Sequence, residues 1–208
     1  YTKPLTEEFI RKNKDKVCWI NISGHQKLSE KFIREFQDEV NWGYISIFQN
    51  LSENFIREFQ DEVNMYYISE NQILSEDFIR EFQDKVDWAN ISCSQKLNEN
   101  FIREFQNKVY WNYISQYQIL NEKFIKDFQH KVNWRSISFS QKLSEKFIRK
   151  FKSRIDWELL LKKYNYDLNK FDDKYQIKSI SINYNSDYLD FPEFIDLALR
   201  LISLRVFQ

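Results

Sequence analysis

Seven cationic side chains recur at one interval: Arg11, Arg34, Arg57, Arg80, Arg103, Lys126 and Arg149 stand 23 residues apart. A row of guanidinium groups suits phosphates or carboxylates, which the planar fork binds through two hydrogen bonds at once. A carboxylate accompanies most of them at helical spacing, as Glu30 lies four residues before Arg34 and Asp38 four after. The plainer expectation is therefore a solvated ion-pair ladder. A second basic set, Lys123, Lys126, Lys131, Arg135, Lys146, Arg149, Lys150, Lys152 and Arg154, is interrupted by Phe and Trp. It reads either as a nucleic-acid surface whose affinity falls steeply with salt, or as a solvated helix face, and the neutral chain favours the second.

Catalytic chemistry finds no footing. His25 and His130 occupy non-equivalent positions, and no Ser/His/Asp, Cys/His or Gly-rich phosphate signature assembles around them. Cys18 and Cys93 also fall at different places, so neither a disulfide framework nor metal-ligand spacing is visible. Asp167, Asp172, Asp173, Asp187 and Asp190 lack the oxygen spacing of a calcium loop. Paired carboxylates sit on regular helix faces rather than in a suggested cleft. The expectation is a protein without enzymatic activity, cofactor or metal.

The cations belong to a repeat. Leu5, Leu28, Leu51, Leu74, Leu97, Leu120 and Leu143 keep the 23-residue interval without insertion or deletion, as do Trp19, Trp42, Met65, Trp88, Trp111, Trp134 and Trp157. A fixed period of this size marks a solenoid, whose units bury their apolar faces only against one another. Within the unit starting at Leu28, Phe32, Ile33, Phe36 and Val40 form one helical face, Ser29 stands at the N-cap, and Leu28 and Ile33 make a hydrophobic staple. Asn41 caps a second helix that opens at Trp42 and ends near Phe48. The expected lengths are about 11 and about 7 residues, each too short to be stable alone in water. The recurring Gln26, Gln49, Gln72, Gln95, Gln118 and Gln141 are assigned to satisfying backbone groups in the turn between units, and Ser23, Ser46, Ser69, Ser92, Ser115 and Ser138 to similar work. A leucine-rich-repeat strand is disfavoured, because Trp42-Gly-Tyr-Ile-Ser-Ile-Phe-Gln does not alternate.

The fold class is thus all-α: a solenoid of two-helix repeats over residues 1–157, followed by a C-terminal capping segment, 158–208. That segment contains a strand or extended strip at Tyr175–Tyr184 and an apolar helix from Asp190 to Leu204. The first unit departs from the pattern as a terminus should, with Asn13 in place of Phe and Lys12, Lys14 and Lys16 crowding its helix. No apolar run reaches the roughly 20 residues of a membrane span. Net charge is zero, yet the units from Leu5 carry +2, −2, −4, −2, 0, +3 and, to Trp157, +3.

Function is sought where the units differ. Positions after the Trp and after the Ser drift freely, and the varying face of a repeat protein is often its binding face. Tyr44, Ile47, Phe48, Tyr67, Asn71, Asn90, Tyr113, Tyr117, Arg135 and Phe139 are the candidate contacts for a protein partner. The alternatives are a self-assembling structural component, with acidic units meeting basic ones of another copy, and nucleic-acid binding through residues 120–157.

The unit Leu-Ser-Glu-x-Phe-Ile-Arg-Glu-Phe-Gln-Asp-x-Val-x-Trp-x-x-Ile-Ser-x-x-Gln-x, present from Leu28 and again from Leu74, resembles a short repeat of proteins from giant amoeba-infecting DNA viruses. The abundance of Ile, Lys, Asn, Phe and Tyr is similar to the products of such AT-rich genomes. The resemblance covers residues 5–157, carries no catalytic residue across, and implies a location in the host-cell cytoplasm or the virion.

Overall fold

The computed structural model describes residues 4–163, and these residues form helices alone; the strip at Tyr175–Tyr184 and the helix from Asp190 lie outside the described residues. The described residues divide into two compact units, the first ending at Tyr110 and the second beginning at Trp111. The first holds five leading helices of the repeat, α1 (Glu7–Lys12), α3 (Glu30–Glu35), α5 (Glu53–Glu58), α7 (Glu76–Glu81) and α9 (Glu99–Glu104). Between them run the second helices α2 (Trp19–His25), α4 (Trp42–Phe48), α6 (Met65–Asn71) and α8 (Trp88–Ser94). The second unit holds α10 (Trp111–Tyr117), α11 (Glu122–Asp127), α12 (Trp134–Ser140), α13 (Glu145–Lys150) and α14 (Trp157–Lys163). Within each unit the repeats stack as a solenoid, second helix against second helix: α2 on α4 on α6 on α8, and α10 on α12 on α14.

Most helices start where the sequence places a cap, although Cys18, before α2, makes no side-chain cap bond. Ser29 is extended at φ −77°, ψ 150°, and its Oγ accepts the Phe32 N–H at 3.1 Å; Asn41 does the same for Tyr44 at 3.0 Å. The second helix has the expected seven residues, Trp42–Phe48. The leading helix is shorter than the apolar periodicity implies, with six α-helical residues, Glu30–Glu35, in place of eleven. Phe36 leaves the helical region (φ −118°, ψ 31°) while its ring packs on Phe32 and on Trp19 of the preceding repeat, with centroids 4.7 and 5.0 Å apart. Beyond it Gln37, Asp38 and Glu39 are exposed and offer no apolar contact to hold another helical turn, so packing overrides propensity. The chain instead turns back, with Val40 N–H on the Phe36 carbonyl at 3.0 Å.

Within each unit the core is a column of near-identical layers. In the third repeat Phe55, Ile56 and Ile68 are fully buried and Val63 nearly so, each large side chain contributing about 1.5–3 kcal/mol by leaving water. Trp42 lies against Phe55 and Phe59 of the next repeat, centroids 6.2 and 4.9 Å away, and its Nε1 donates to the Gln37 carbonyl at 3.1 Å. Met65 interrupts the Trp row, and there Phe78 and Phe82 stack on each other at 4.5 Å.

Polar groups stitch the layers. Gln49 Nε2 donates to the carbonyls of Ser23 and Gln26 in the preceding repeat, both at 2.8 Å, and its Oε1 accepts the Leu28 N–H at 3.0 Å. Ser46 Oγ donates to the Trp42 carbonyl at 2.7 Å and accepts the Asn64 N–H of the next repeat at 2.9 Å. Both residues are buried, so losing either strands backbone groups at about 1–3 kcal/mol each. The Gln and Ser rows therefore have the structural role their constancy suggests.

The ends depart from the pattern in opposite ways. In the first repeat Asn13 takes the Phe position and donates its Nδ2 to the Phe9 carbonyl at 2.9 Å, leaving Phe9 exposed. In the seventh, a second helix runs past residue 157: Asp156 Oδ1 accepts the Leu159 N–H at 3.0 Å, and Leu160 is buried where interior repeats have Ile. Tyr164 stands where the next Gln would be, and Lys163 Nζ donates to the Gln141 carbonyl in its stead. Burial, reinforced by the Lys142 charge, lowers the Lys163 pKa below the ordinary 10.5.

Candidate interaction surfaces

The Arg row spans the step between repeats. Arg34 Nε bonds both carboxylate oxygens of Glu58, 24 residues on, at 3.0 and 2.9 Å, and the guanidinium carbon sits 4.9 Å from the Phe55 ring centroid. Arg11 with Glu35 and Arg80 with Glu104 repeat the forked bond, and Arg57 reaches Glu81 at 2.8 Å. Glu30, the expected partner four residues back, lies 3.8 Å from Arg34, and its Oε1 also accepts the Ser52 N–H of the next repeat at 2.6 Å. The hydrogen bond from Arg34, then its charge, holds Glu58 below the usual carboxylate range against an opposing effect of burial, and the same bond raises Arg34. In the first unit these cations are engaged by acids of the chain itself, which leaves a phosphate-binding row little to work with.

The basic set of the second unit splits in two. Several members are spent on packing: Lys131 lies 5.7 Å over the Trp111 ring, Arg154 lies 5.7 Å over Trp134 and donates to the Gln129 carbonyl at 2.8 Å, and Arg149 pairs with Glu145 at 2.7 Å. Arg135 approaches Asp156 at 3.9 Å, and Lys152 is exposed in the turn after α13. Lys123 and Lys126 on α11 and Lys146 and Lys150 on α13 are exposed and have no carboxylate partner among the described residues. The Phe residues interleaved with them are core: Phe147 and Phe151 are buried.

The drifting positions form the outer face of the stacked second helices. On the first unit Tyr44 stacks on Phe48 with centroids 5.8 Å apart, Tyr66 meets Tyr67 edge-on at 5.5 Å, and Phe48 and Tyr66 remain 56% and 52% exposed. A Cβ at Gly24 would fall 3.0 Å from Tyr44 Cδ1, so the small residue of one repeat seats the ring of the next. On the second unit Tyr113 packs on Tyr117 at 6.1 Å, both exposed along with Phe139 and Arg135.

No family model, curated protein or solved structure matches this chain.

The expected contacts are thus brought onto one helix row in each unit, but not all are equally free. Ile47, Tyr67 and Asn90 are half-buried; Asn90 donates its Nδ2 to the Tyr66 carbonyl of the preceding repeat at 3.3 Å, and Asn71 donates to the Tyr67 carbonyl of its own helix at 3.0 Å. Ile20 and Tyr66 belong to the exposed face and were not among the sequence candidates. Their signal was position: each stands directly after the first residue of its second helix, Trp19 or Met65, among the residues that vary from repeat to repeat. Among the described residues no group of three or more His, Cys, Asp or Glu side chains is placed to hold a metal, Cys18 and Cys93 are free thiols, and no helix is long and apolar enough to cross a membrane.

Proposed function

We propose that this protein is a repeat scaffold that binds another protein through the exposed aromatic face of its second helices. The supporting observation is that one face of the α2–α8 row carries Ile20, Tyr44, Phe48 and Tyr66, all exposed, while the layers beneath scarcely change from repeat to repeat. Large aromatics gathered on a rigid surface suit interface anchors, combining much contact area with little side-chain entropy to lose. The helical core supports them whatever their identity, so they are free to be chosen for recognition. The occupant that fits is an apolar protein surface rimmed with polar groups, meeting Asn71 and Glu70 at the border. A scaffold of this kind would work in the host-cell cytoplasm or in the virion.

The test uses the intact chain. A partner isolated by affinity capture and identified by mass spectrometry is titrated against the wild type and against a Tyr44→Ser, Phe48→Ser, Tyr66→Ser variant. The expected result is at least a tenfold loss of affinity with the helical circular-dichroism signal unchanged. Equal affinity in the variant would refute the assignment.

A further inference from the structure

The charged step between repeats fails in opposite senses in the two units. In the first unit two kinds of step recur, each 24 residues long: Arg34 to Glu58 between leading helices, and Lys85 to Asp61 (3.3 Å) or Lys108 to Asp84 (2.8 Å) between the turns that follow them. The first kind of step, taken in the second unit, runs from Lys126 to Lys150, two cations. The second kind, taken earlier in the first unit, runs from Asp38 to Glu62 and from Asp15 to Glu39, acid on acid. None of these side chains has an oppositely charged partner among the described residues, and Lys126, Lys150, Asp38, Glu39 and Glu62 are all exposed.

Like charges held side by side repel, and each set is relieved by an outside counter-charge. We infer that the lysine face of α11 and α13 docks on the acidic turns of repeats two and three in a second copy of this chain. The occupant follows from charge: repeats two to four carry −2, −4 and −2, repeats six and seven +3 each, and the whole is neutral, so copies do not repel one another as they would at high net charge. A nucleic acid fits this face less well, because the rings between the lysines are buried or covered and none is offered for base stacking. The inference is independent of the aromatic face.

Sedimentation velocity of the full chain at about 50 mM and about 500 mM salt reads it, since a charged contact between exposed groups is screened over that range. Wild type is expected to self-associate at low salt and to lose at least tenfold in affinity at high salt. Two variants that repair the internal steps keep the test clear of misfolding. The first, Lys123→Glu, Lys126→Glu, Lys146→Glu, sets a carboxylate at position 126 toward Lys150. The second, Asp38→Lys, Glu39→Lys, sets the new cations toward Glu62 and Asp15. Each alone should be monomeric, and an equimolar mixture should associate again, because each then supplies the charge the other lacks. A monomeric wild type at low salt, association indifferent to either variant, or a mixture that stays monomeric would overturn the proposal. So would a 20-nucleotide single-stranded DNA probe that binds the monomeric wild type and is lost in the lysine variant.

Discussion

The two units use one core and two electrostatic solutions. In the first, Arg34 sits over Phe55 and forks onto Glu58, so one side chain covers an aromatic edge and ties two repeats. In the second, the equivalent positions hold Lys126, Phe147 and Lys150; the ring is buried as before, but no acid completes the step. Apolar stacking and the Gln and Ser bonds therefore suffice to hold repeats together, and the surface charges are left free to vary. Exposed ion pairs contribute little to stability in general, which permits that freedom.

If the cores are truly equivalent, Phe55→Ala and Phe124→Ala should destabilise by similar amounts, about 3–5 kcal/mol each, as removal of a fully buried ring does. This is the largest effect expected of any single substitution considered. Urea unfolding followed by circular dichroism measures both. A cost for Phe124→Ala less than about half that for Phe55→Ala would show that the units differ beneath the surface, and the comparison would fail.

Acid separates the units more finely. Glu58 titrates below its ordinary value because Arg34 hydrogen-bonds its ionised form. Its contribution is fully present above the unfolded carboxyl value, about 4.3, and is lost as pH falls through the lowered folded value. A Glu58→Gln variant should thus unfold at lower urea than wild type at pH 7, and the gap should narrow as the medium is acidified through that range. Lys126→Gln should open no gap that acid closes, since no carboxylate faces it. Lys163 adds a slope of the same sign on the alkaline side, there as relief of a penalty on the buried ammonium: with its folded pKa depressed, stability of the last repeat rises as pH climbs through that value toward 10.5. An acid-insensitive gap for Glu58→Gln would remove the carboxylate from the account.

The sequence disclosed the period, the caps and the two constant polar rows because all are local or invariant: Ser29 needs only its own helix, and Gln49 recurs at every turn. The destinations of Glu30 and Arg34 were hidden, since 22- and 24-residue partners become neighbours only once the stacking is known. Apolar spacing overstates the leading helix because Phe36 and Val40 continue the helical period while the backbone turns away at Phe36. The second helix of the seventh repeat was obscured by Leu161 and Tyr164, which replace the marker Ser and Gln although Trp157 and Leu160 keep the apolar pattern. On the outer face the drift identified the row, but not that Tyr66 stands out while Asn90 is tied to the backbone behind it.

The smallest expected effect tests the comparison most directly. Lys150→Glu gives the second unit the acid that Glu58 supplies in the first, so that Lys126 faces a carboxylate 24 residues on. Two changes are folded into that substitution, removal of a repulsion and gain of an attraction, and Lys150→Gln separates them by supplying only the first. An exposed pair of this kind is worth about 0.2–1 kcal/mol, so the order of urea midpoints should be Glu above Gln above wild type, with the differences shrinking at high salt. Equal midpoints for Glu and Gln would mean that the lysine stem does not close the step an arginine fork closes. The difference between the units would then lie as much in the choice of Lys126 over Arg as in the missing acid.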